Sequence, residues 1–241
     1  MLRVFVPGVR AAGTRIRIAG AELRHLRAFR LTQGARLVVF DESGEEHEVR
    51  LERLGPTAAE AVILSTRRPA RESALDLVLA AALLKGAKMD FVVEKATEIG
   101  VRRIAPVVCR RVVGQGARTE RWRKIAIAAA KQSGRTAVPE VDPPRPLAEL
   151  VRLPWPGLRL LAWEGEHERP FASLAAEAAA VVVVVGPEGG LAEDEVAEAS
   201  AHGFTPLSLA PRVLRAETAA IVAATLCQHR WGDLSSIRRL R

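Results

Sequence analysis

The chain has few of the residues on which several classes of protein depend. Its 241 residues include two cysteines, six phenylalanines, four tryptophans and no tyrosine. Cys109 and Cys227 have no CxxC spacing and are too few for a disulfide framework, which favours two buried thiols. The five histidines are scattered, so the sequence predicts no metal site. The lack of clustered aromatic residues gives no obvious stacking platform for single-stranded nucleic acid.

Long apolar runs and several familiar motifs are also missing. No apolar stretch approaches the roughly 20 residues needed to cross a bilayer, and the N-terminus lacks the apolar core of a signal peptide. We therefore expect a cytoplasmic protein. The sequence has no GxxxxGK[ST], no GxGxxG at the start of a helix and no GxSxG. Their absence disfavours P-loop nucleotide hydrolysis, the usual dinucleotide fold and a nucleophile elbow.

Positive charge, by contrast, is abundant. The 36 Lys and Arg residues outnumber the 28 Asp and Glu residues, which gives a formal net charge of +8 and a sequence pI near 10.6. All but five of the basic residues are arginines, whose planar fork suits phosphate groups and base edges. This balance points to a polyanionic partner, and the alternative is a basic surface that maintains solubility.

The first 70 residues are predicted to form a small β-rich domain. Alternating or β-branched stretches indicate strands at 3–6, 15–18, 36–41, 46–54 and 58–66, with a helix at 22–30. Through residue 71 the chain has 13 arginines against 8 acidic residues. A compact basic β-barrel of this kind either binds nucleic acid or is purely structural. We place the boundary in the polar connector 67–73, which gives domains 1–70 and 73–241.

From residue 73 the pattern changes to alternating strands and helices, which is typical of a parallel α/β sheet. Strands are predicted at 75–84, 103–109, 158–163, 181–185 and 205–209. Helices are predicted at 88–99, 118–133, 170–179, 193–202 and 217–231. Gly100 and Gly134 are predicted to end the first two of these helices.

The stretch from Val181 to Thr218 contains the best candidates for a functional site. Its five consecutive valines predict a strand buried on both faces, which runs directly into the glycine-rich loop 186–190. A second loop, 209–216, follows the next predicted strand. Ligands of open α/β sheets bind beyond the carboxyl ends of the strands, so these two loops are the candidate ligand site.

Four blocks of sequence carry a resemblance to a known family. They are residues 85–90 with 95–101, 130–135 with 138–141, 185–190, and 209–219. In this order they closely resemble the bacterial 16S ribosomal RNA uridine-N3 methyltransferases of the RsmE type, which belong to the SPOUT class. Residues 25–30 also look like the helix in that family's PUA-like barrel. The resemblance spans nearly the whole chain.

The resemblance implies both a fold and a set of partners. The fold would be α/β, with a SPOUT-type trefoil-knotted parallel sheet flanked by helices and an N-terminal PUA-like β-barrel. The cofactor would be S-adenosyl-L-methionine and the substrate 16S rRNA, free or in the small ribosomal subunit. Two copies of the chain would form a homodimer.

The resemblance also places the cofactor in three loops that follow strands. The implied cofactor-binding residues are Leu161, Ala162, Glu164, Gly186, Pro187, Glu188, Gly190, Leu209, Pro211, Leu214 and Arg215. Glycine backbone can hydrogen-bond adenine and ribose, while leucine and proline supply apolar walls for the adenine. Glu188 would accept hydrogen bonds from ribose hydroxyls or favour the cationic sulfonium. Alternatively, it caps the helix that follows.

Methylation of uridine N3 requires removal of its proton and stabilisation of the charge that spreads to O2 and O4. Arg212 and Arg215 are the expected stabilisers of that charge. Glu217 or Glu188 is the candidate base. Alternatively, Glu217 stabilises the start of the last helix.

We expect RNA to be positioned by arginines that contact its phosphates. The candidates are Arg10, Arg24, Arg27, Arg30, Arg110 and Arg111. The target base would have to be unpaired or flipped out to reach the cofactor. Two other functions stay open: a SPOUT enzyme that acts on a ribose 2′-hydroxyl or on transfer RNA, and a ribosome-associated RNA-binding protein without turnover.

Overall fold

The computed structural model describes residues 1–9, 15–112 and 118–234. The chain divides into two compact units. The first consists of Met1–Glu72 with Ala130–Val138, and the second of Ser73–Ala129 with Pro139–Arg241. The segment 130–138, which the sequence analysis assigned to the second domain, therefore groups with the first unit. Over the described ranges, no helix combines the length and the apolar character that a membrane span requires.

The described residues of Met1–Glu72 form a five-stranded sheet and one helix. The strands are β1 (Arg3–Phe5), β2 (Arg15–Ala19), β3 (Arg36–Phe40), β4 (Glu46–Leu54) and β5 (Ala58–Arg67), and the helix is α1 (Gly20–Ala28). The strands lie in the order β1-β3-β4-β5-β2. Strand β1 is parallel to β3, and the other neighbours are antiparallel. Every strand and the helix predicted for this region are present, with ends shifted by at most two residues.

Glu72 holds the segment 130–138 within the first unit. Its carboxylate accepts hydrogen bonds from Arg135 Nη2 at 2.7 Å and Nε at 3.0 Å. It also accepts the backbone N–H groups of Thr136 at 2.8 Å and Ala137 at 3.2 Å. Burial works to raise the pKa of Glu72, but Arg135 and the two backbone donors outweigh it, so the pKa lies below its ordinary value.

The second unit is organised around a six-stranded parallel sheet. The strands of this unit are β6 (Asp76–Ala81), β7 (Arg103–Ile104), β8 (Val107–Val108), β9 (Glu140–Val141), β10 (Arg145–Pro146), β11 (Leu158–Ala162), β12 (Ala180–Val185) and β13 (Thr205–Leu207). The large sheet has the order β13-β11-β12-β6-β7-β9, while β8 and β10 form a separate pair. The helices are α2 (Lys88–Ile99), α3 (Thr119–Ser133), which continues into the first unit, α4 (Leu147–Val151), α5 (Glu193–Ala201) and α6 (Ala216–Trp231).

Strand β12 is the buried centre of this sheet, which confirms the prediction from its valine run. It pairs with β11 on one side and with β6 on the other. Each residue from Val181 to Val185 is at most 3% exposed. Full burial of one such side chain contributes roughly 1.5–3 kcal/mol. The run therefore anchors the loop that follows it.

The helix predicted at 170–179 is wrong. Only a short 3₁₀ turn, Phe171–Ser173, forms there. The guanidinium of Arg230 donates to the carbonyl oxygens of Leu174 at 2.6 Å and Ala175 at 3.1 Å. Trp231 Nε1 also donates to Ala175, at 3.1 Å. These contacts take carbonyl groups that an α-helix would pair with its own amides, so tertiary packing overrides the helix propensity of an alanine-rich segment.

The strand predicted at 103–109 is interrupted, and α4 lies where the sequence analysis predicted no helix. Strands β7 and β8 are separated by Ala105 and Pro106 and pair with different partners. Proline has no N–H to donate to a continuous ladder. The helix ends at Gly100 and Gly134 are confirmed, with positive φ angles of 96° and 76°.

Candidate ligand site at the strand ends

The register of the sheet brings three loops together at its carboxyl edge. Ala162, the last residue of β11, pairs with Val185 on one side and with Leu207 on the other. These partners are the last residues of β12 and β13, so the loops that follow the three strands begin side by side. Val185 also pairs with Ala81 at the end of β6, which places the turn before α2 next to the glycine-rich loop.

The three loops enclose a cavity of about 360 Å³, a size typical of small-molecule sites. Its wall is formed by residues 162–164, His167, 185–187, 208–214, Ala216 and Ala219. Apolar side chains form most of this wall, and Glu164, His167, Ser208 and Arg212 add polar groups. The two loops expected to form one site therefore share one cavity.

Most of the predicted cofactor-binding residues line this cavity. They are Ala162, Glu164, Gly186, Pro187, Leu209, Pro211 and Leu214. The wall does not include Leu161, Glu188, Gly190 or Arg215. Leu161 is fully buried, and its side chain packs in the hydrophobic core on one face of the sheet. Its side chain is therefore part of the fold rather than of the cavity.

Two glycines keep the 186–190 loop close to its neighbours. Gly190 has φ +71°, and a Cβ on it would overlap the carboxylate of Glu164 in the cavity wall. Its N–H donates to the Pro187 carbonyl at 3.0 Å and closes a tight turn. A Cβ on Gly186 would lie 2.9 Å from Leu191 Cγ. Larger residues at either position would displace the cavity wall.

Lys88, to which the sequence analysis gave no role, joins the glycine-rich loop to the start of α6. Its Nζ lies 3.0 Å from Glu188 Oε1 and 3.4 Å from Glu217 Oε2. The hydrogen bond to Glu188 raises the pKa of Lys88. Partial burial works to raise the pKa of Glu188, but hydrogen bonds from its own N–H and from Lys88 outweigh it and lower that pKa.

The alternative in which Glu188 caps the following helix is not the one that the structure shows. The carboxylate of Glu195 accepts the N–H of Ala192 at 2.9 Å, and Ala192 immediately precedes α5. A glutamate at the third helical position commonly reaches back in this way. Glu188 is paired with Lys88 instead, and its lowered pKa makes it a weak proton acceptor.

Glu217 lies in the first turn of α6, where negative charge interacts favourably with the helix dipole. Its Oε2 atom is buried, with the Lys88 ammonium as its charged neighbour. This position agrees with the helix-stabilising alternative. The role of Glu217 as a base stays a prediction.

Arg212 and Arg215 extend from the loop that ends at α6. Arg212 lines the cavity, and Arg215 is the residue that immediately precedes the helix. Both are exposed. Within the described ranges, neither side chain has a hydrogen bond or an ion pair, so both guanidinium groups are available to a negatively charged ligand.

Arg24, Arg27 and Arg30 are exposed on α1 and just beyond its end. Arg27 Nη2 donates to the carbonyl oxygens of Gly55 at 2.8 Å and Pro56 at 2.9 Å. Part of its donor capacity therefore stabilises a turn of the first unit. Arg10 lies outside the described residues.

Arg110 and Arg111 contact the elements around the cavity. The guanidinium of Arg110 forms an ion pair with Asp194, and its backbone N–H donates to Glu195 Oε1 at 2.8 Å. Arg111 Nη1 donates to the Gly189 carbonyl at 2.9 Å. Both side chains are exposed, but they also hold the glycine-rich loop and the start of α5 in place. Their RNA contacts stay predictions.

Trp163, His167 and Ser208 also line the cavity. The family resemblance placed Trp163 in the cofactor loop with Leu161 and Glu164 without giving it a contact, and the sequence analysis did not assign His167 or Ser208 to the site. Trp163 follows β11 directly and is half-buried against the sheet core. Ser208 follows β13 in the same way. Position after a strand of this sheet was the signal that could have identified both, whereas nothing local marks His167.

Comparison with known proteins defines the class of this chain. A family model described as RNA methyltransferase domain matches residues 71–228, and one described as RNA methyltransferase PUA domain matches residues 18–64. These matches define an RNA methyltransferase with a PUA domain.

Individual relatives define the family. Ribosomal RNA small subunit methyltransferase E of Mycobacterium bovis is 33% identical over 80% of this chain and 78% of its own length. The crystal structure of the Neisseria gonorrhoeae protein of that name, bound to S-adenosyl methionine, is 33% identical with TM-score 0.91 and covers 97% of this chain and 99% of that one. A Legionella pneumophila protein solved in complex with the bound cofactor SAM is 32% identical, with the same TM-score and coverage. The chain therefore belongs to the ribosomal RNA small subunit methyltransferase E family, and the family predicted from the sequence is confirmed.

Proposed function

We propose that this chain transfers a methyl group from S-adenosylmethionine to N3 of a uridine in 16S ribosomal RNA of the small subunit. The observation that carries the proposal is the cavity that the three strand-end loops share. It occurs in a chain of the same family and fold as the Neisseria protein solved with S-adenosyl methionine. Among open α/β sheets, this edge is the usual place for a ligand.

The cavity wall has the groups that S-adenosylmethionine requires. Leu209, Leu214 and the ring of Trp163 provide apolar surface for an adenine. Glu164 can accept hydrogen bonds from ribose hydroxyls, and its charge favours a nearby sulfonium. The backbone around Gly186 can approach the ligand closely because it carries no side chain. The bound cofactor supplies a methyl group on a sulfonium, which is a good leaving group.

Residues of the 209–217 segment have the task of making uridine N3 nucleophilic. Loss of the N3 proton leaves negative charge on O2 and O4, which the guanidinium groups of Arg212 and Arg215 can stabilise. Glu217 is the carboxylate proposed to accept the proton. Its contact with Lys88 also fits a role in fixing the start of α6, and the two roles make different predictions for the pH dependence of turnover.

The two domains would have different roles. Residues 1–70 would bind RNA through Arg10, Arg24, Arg27 and Arg30, and residues 73–241 would bind the cofactor and catalyse. The family resemblance supports a homodimer, a trefoil knot formed by the cofactor loops and a cytoplasmic enzyme that acts on rRNA or the assembled subunit.

Nucleoside analysis of rRNA from a strain that lacks this protein tests the proposal. We expect a 3-methyluridine to disappear from 16S rRNA and to return when the wild-type chain is supplied. Arg215→Ala should not restore it, although the variant should still bind S-adenosylmethionine. Loss of a ribose or transfer-RNA modification instead would move the target, and an unchanged set of modifications would support an RNA-binding protein without turnover. Either result would contradict the proposal.

A further inference from the structure

The side chain of Phe29 is exposed at the carboxyl end of α1. Its residue exposure is 60%, whereas Leu23 and Leu26 of the same helix are buried. Isolated exposed apolar residues are common on protein surfaces. Phe29 therefore indicates a binding site only if its surroundings fix the ring and suit a particular ligand.

His25 supports one face of this ring. The two ring centroids are 5.0 Å apart with an interplanar angle of 28°, a stacked arrangement. Lys131 Nζ lies 3.1 Å from His25 Nδ1 and 2.8 Å from Glu22 Oε1. An ammonium only donates hydrogen bonds, so Nδ1 is the acceptor and the imidazole is held in a fixed orientation. Phe29 thus rests on an immobilised ring and presents its exposed surface to solvent.

Arg30 has a backbone conformation that favours glycine. Its φ of 51° is the one positive φ at a non-glycine position in the described part of the chain. The N–H of Leu31 donates to the Leu26 carbonyl at 3.1 Å, and the N–H of Arg30 donates to the Arg27 carbonyl at 2.9 Å. This is a Schellman motif, in which glycine is the usual residue at the position of Arg30. The arginine adopts this conformation against its backbone preference, which points to a role of the side chain outside the fold.

The segment that carries the exposed ring also has two arginines whose side chains are not paired with any described residue. Arg30 directly follows Phe29 in the chain, and Arg24 lies in the preceding part of the helix. Both are exposed, and neither side chain has a hydrogen bond or ion pair with another described residue. An exposed apolar ring in a segment with two available guanidinium groups matches an unpaired nucleotide, since the base has an apolar face and its phosphates are anionic.

We propose that the end of α1 is a stacking site for one unpaired base of the RNA substrate, with Phe29 as the stacking ring and Arg24 and Arg30 as phosphate contacts. The inference rests on the proposed RNA substrate and adds a base-binding role that the arginines alone do not have. It also revises the expectation of no stacking platform, because one supported ring is enough to stack one base. Since every base has a flat face, the site selects unpaired RNA over duplex rather than a particular sequence.

Binding to two oligoribonucleotides of equal length, one of uridines and one with abasic sugars, separates stacking from charge. Phe29→Ala in the full chain should weaken oligouridylate binding by about 5- to 150-fold. Its affinity for the abasic strand should be unchanged. Phe29→Trp should restore binding to uridines. Equal affinity of wild type and Phe29→Ala for oligouridylate would overturn the site.

Arg30→Gly gives a second test in which stability and binding move in opposite directions. Glycine relieves the backbone strain, so the thermal midpoint should rise. Affinity for both strands should fall, and the slope of log affinity against log salt should decrease in magnitude by about 1. A variant that binds like wild type would contradict the role of Arg30. Because S-adenosylmethionine affinity should be unchanged in all these variants, failure of the stacking site and failure of the proposed methyl transfer are distinguishable.

Discussion

Replacement of Gly190 by alanine tests whether the glycine-rich loop shapes the ligand cavity. Gly190 has φ +71°, and its added Cβ would overlap the Glu164 carboxylate. A non-glycine residue in the left-handed region costs roughly 1–2 kcal/mol. A change of 1 kcal/mol shifts the thermal midpoint by about 2–4 °C for a domain of 150–250 residues. The midpoint of Gly190→Ala should therefore fall by about 2–8 °C.

The same substitution should weaken cofactor binding, because Glu164 must leave its position in the cavity wall. Loss of one hydrogen bond to a charged group corresponds to about 1.5–3 kcal/mol. This energy converts to an affinity for S-adenosylmethionine that is about 10- to 150-fold weaker, as measured by isothermal titration calorimetry.

Gly203→Ala is the matched control. Gly203 has φ +82°, but the nearest atom to a Cβ there is Arg159 Nη1 at 3.7 Å, and the residue does not line the cavity. The control should lose similar thermal stability and keep wild-type affinity for S-adenosylmethionine. Wild-type affinity in Gly190→Ala, or an equal loss in Gly203→Ala, would refute this reasoning.

Three further predictions concern charge and burial. Lys88→Met should lower S-adenosylmethionine affinity and turnover, because it removes the ion pair that holds Glu188 and its loop in place. Lys88→Arg keeps the positive charge and should restore most of both. Equal loss in the two variants would count against the role of the ion pair. Acidification below the ordinary glutamate pKa of about 4.3 should lower the thermal midpoint, since the depressed pKa of Glu72 adds stability only while the carboxylate is charged. Glu72→Gln should flatten this part of the pH profile. Burial raises the pKa of Cys109 and Cys227 to about 12, so a thiol reagent should label them only after unfolding.

The central strand and the loops around it could be predicted because their signals are local. Five consecutive valines specify burial wherever the strand lies, and Gly100 ends α2 because it can adopt positive φ. The order of the strands could not be predicted in this way. Residues 160–162 and 205–207 are adjacent in the sheet although the whole of β12 lies between them in the chain.

The contacts that complete the site are long-range and leave no local pattern. Lys88 and Glu188 are 100 positions apart, and nothing in either surrounding sequence marks them as a pair. The absence of a helix at 170–179 depends on Arg230 of α6, whose guanidinium donates hydrogen bonds to carbonyl oxygens of that segment. The segment has a high intrinsic helix propensity, but its tertiary contacts favour a non-helical conformation.

Titration of S-adenosylmethionine into the purified chain tests the central claim most directly. The account predicts saturable binding at a single site per chain, and its loss in Ala219→Trp, which fills the cavity from α6. Circular dichroism and the thermal midpoint should show that this variant is folded. Absence of binding to the wild type at millimolar cofactor, or unchanged binding to folded Ala219→Trp, would contradict the account.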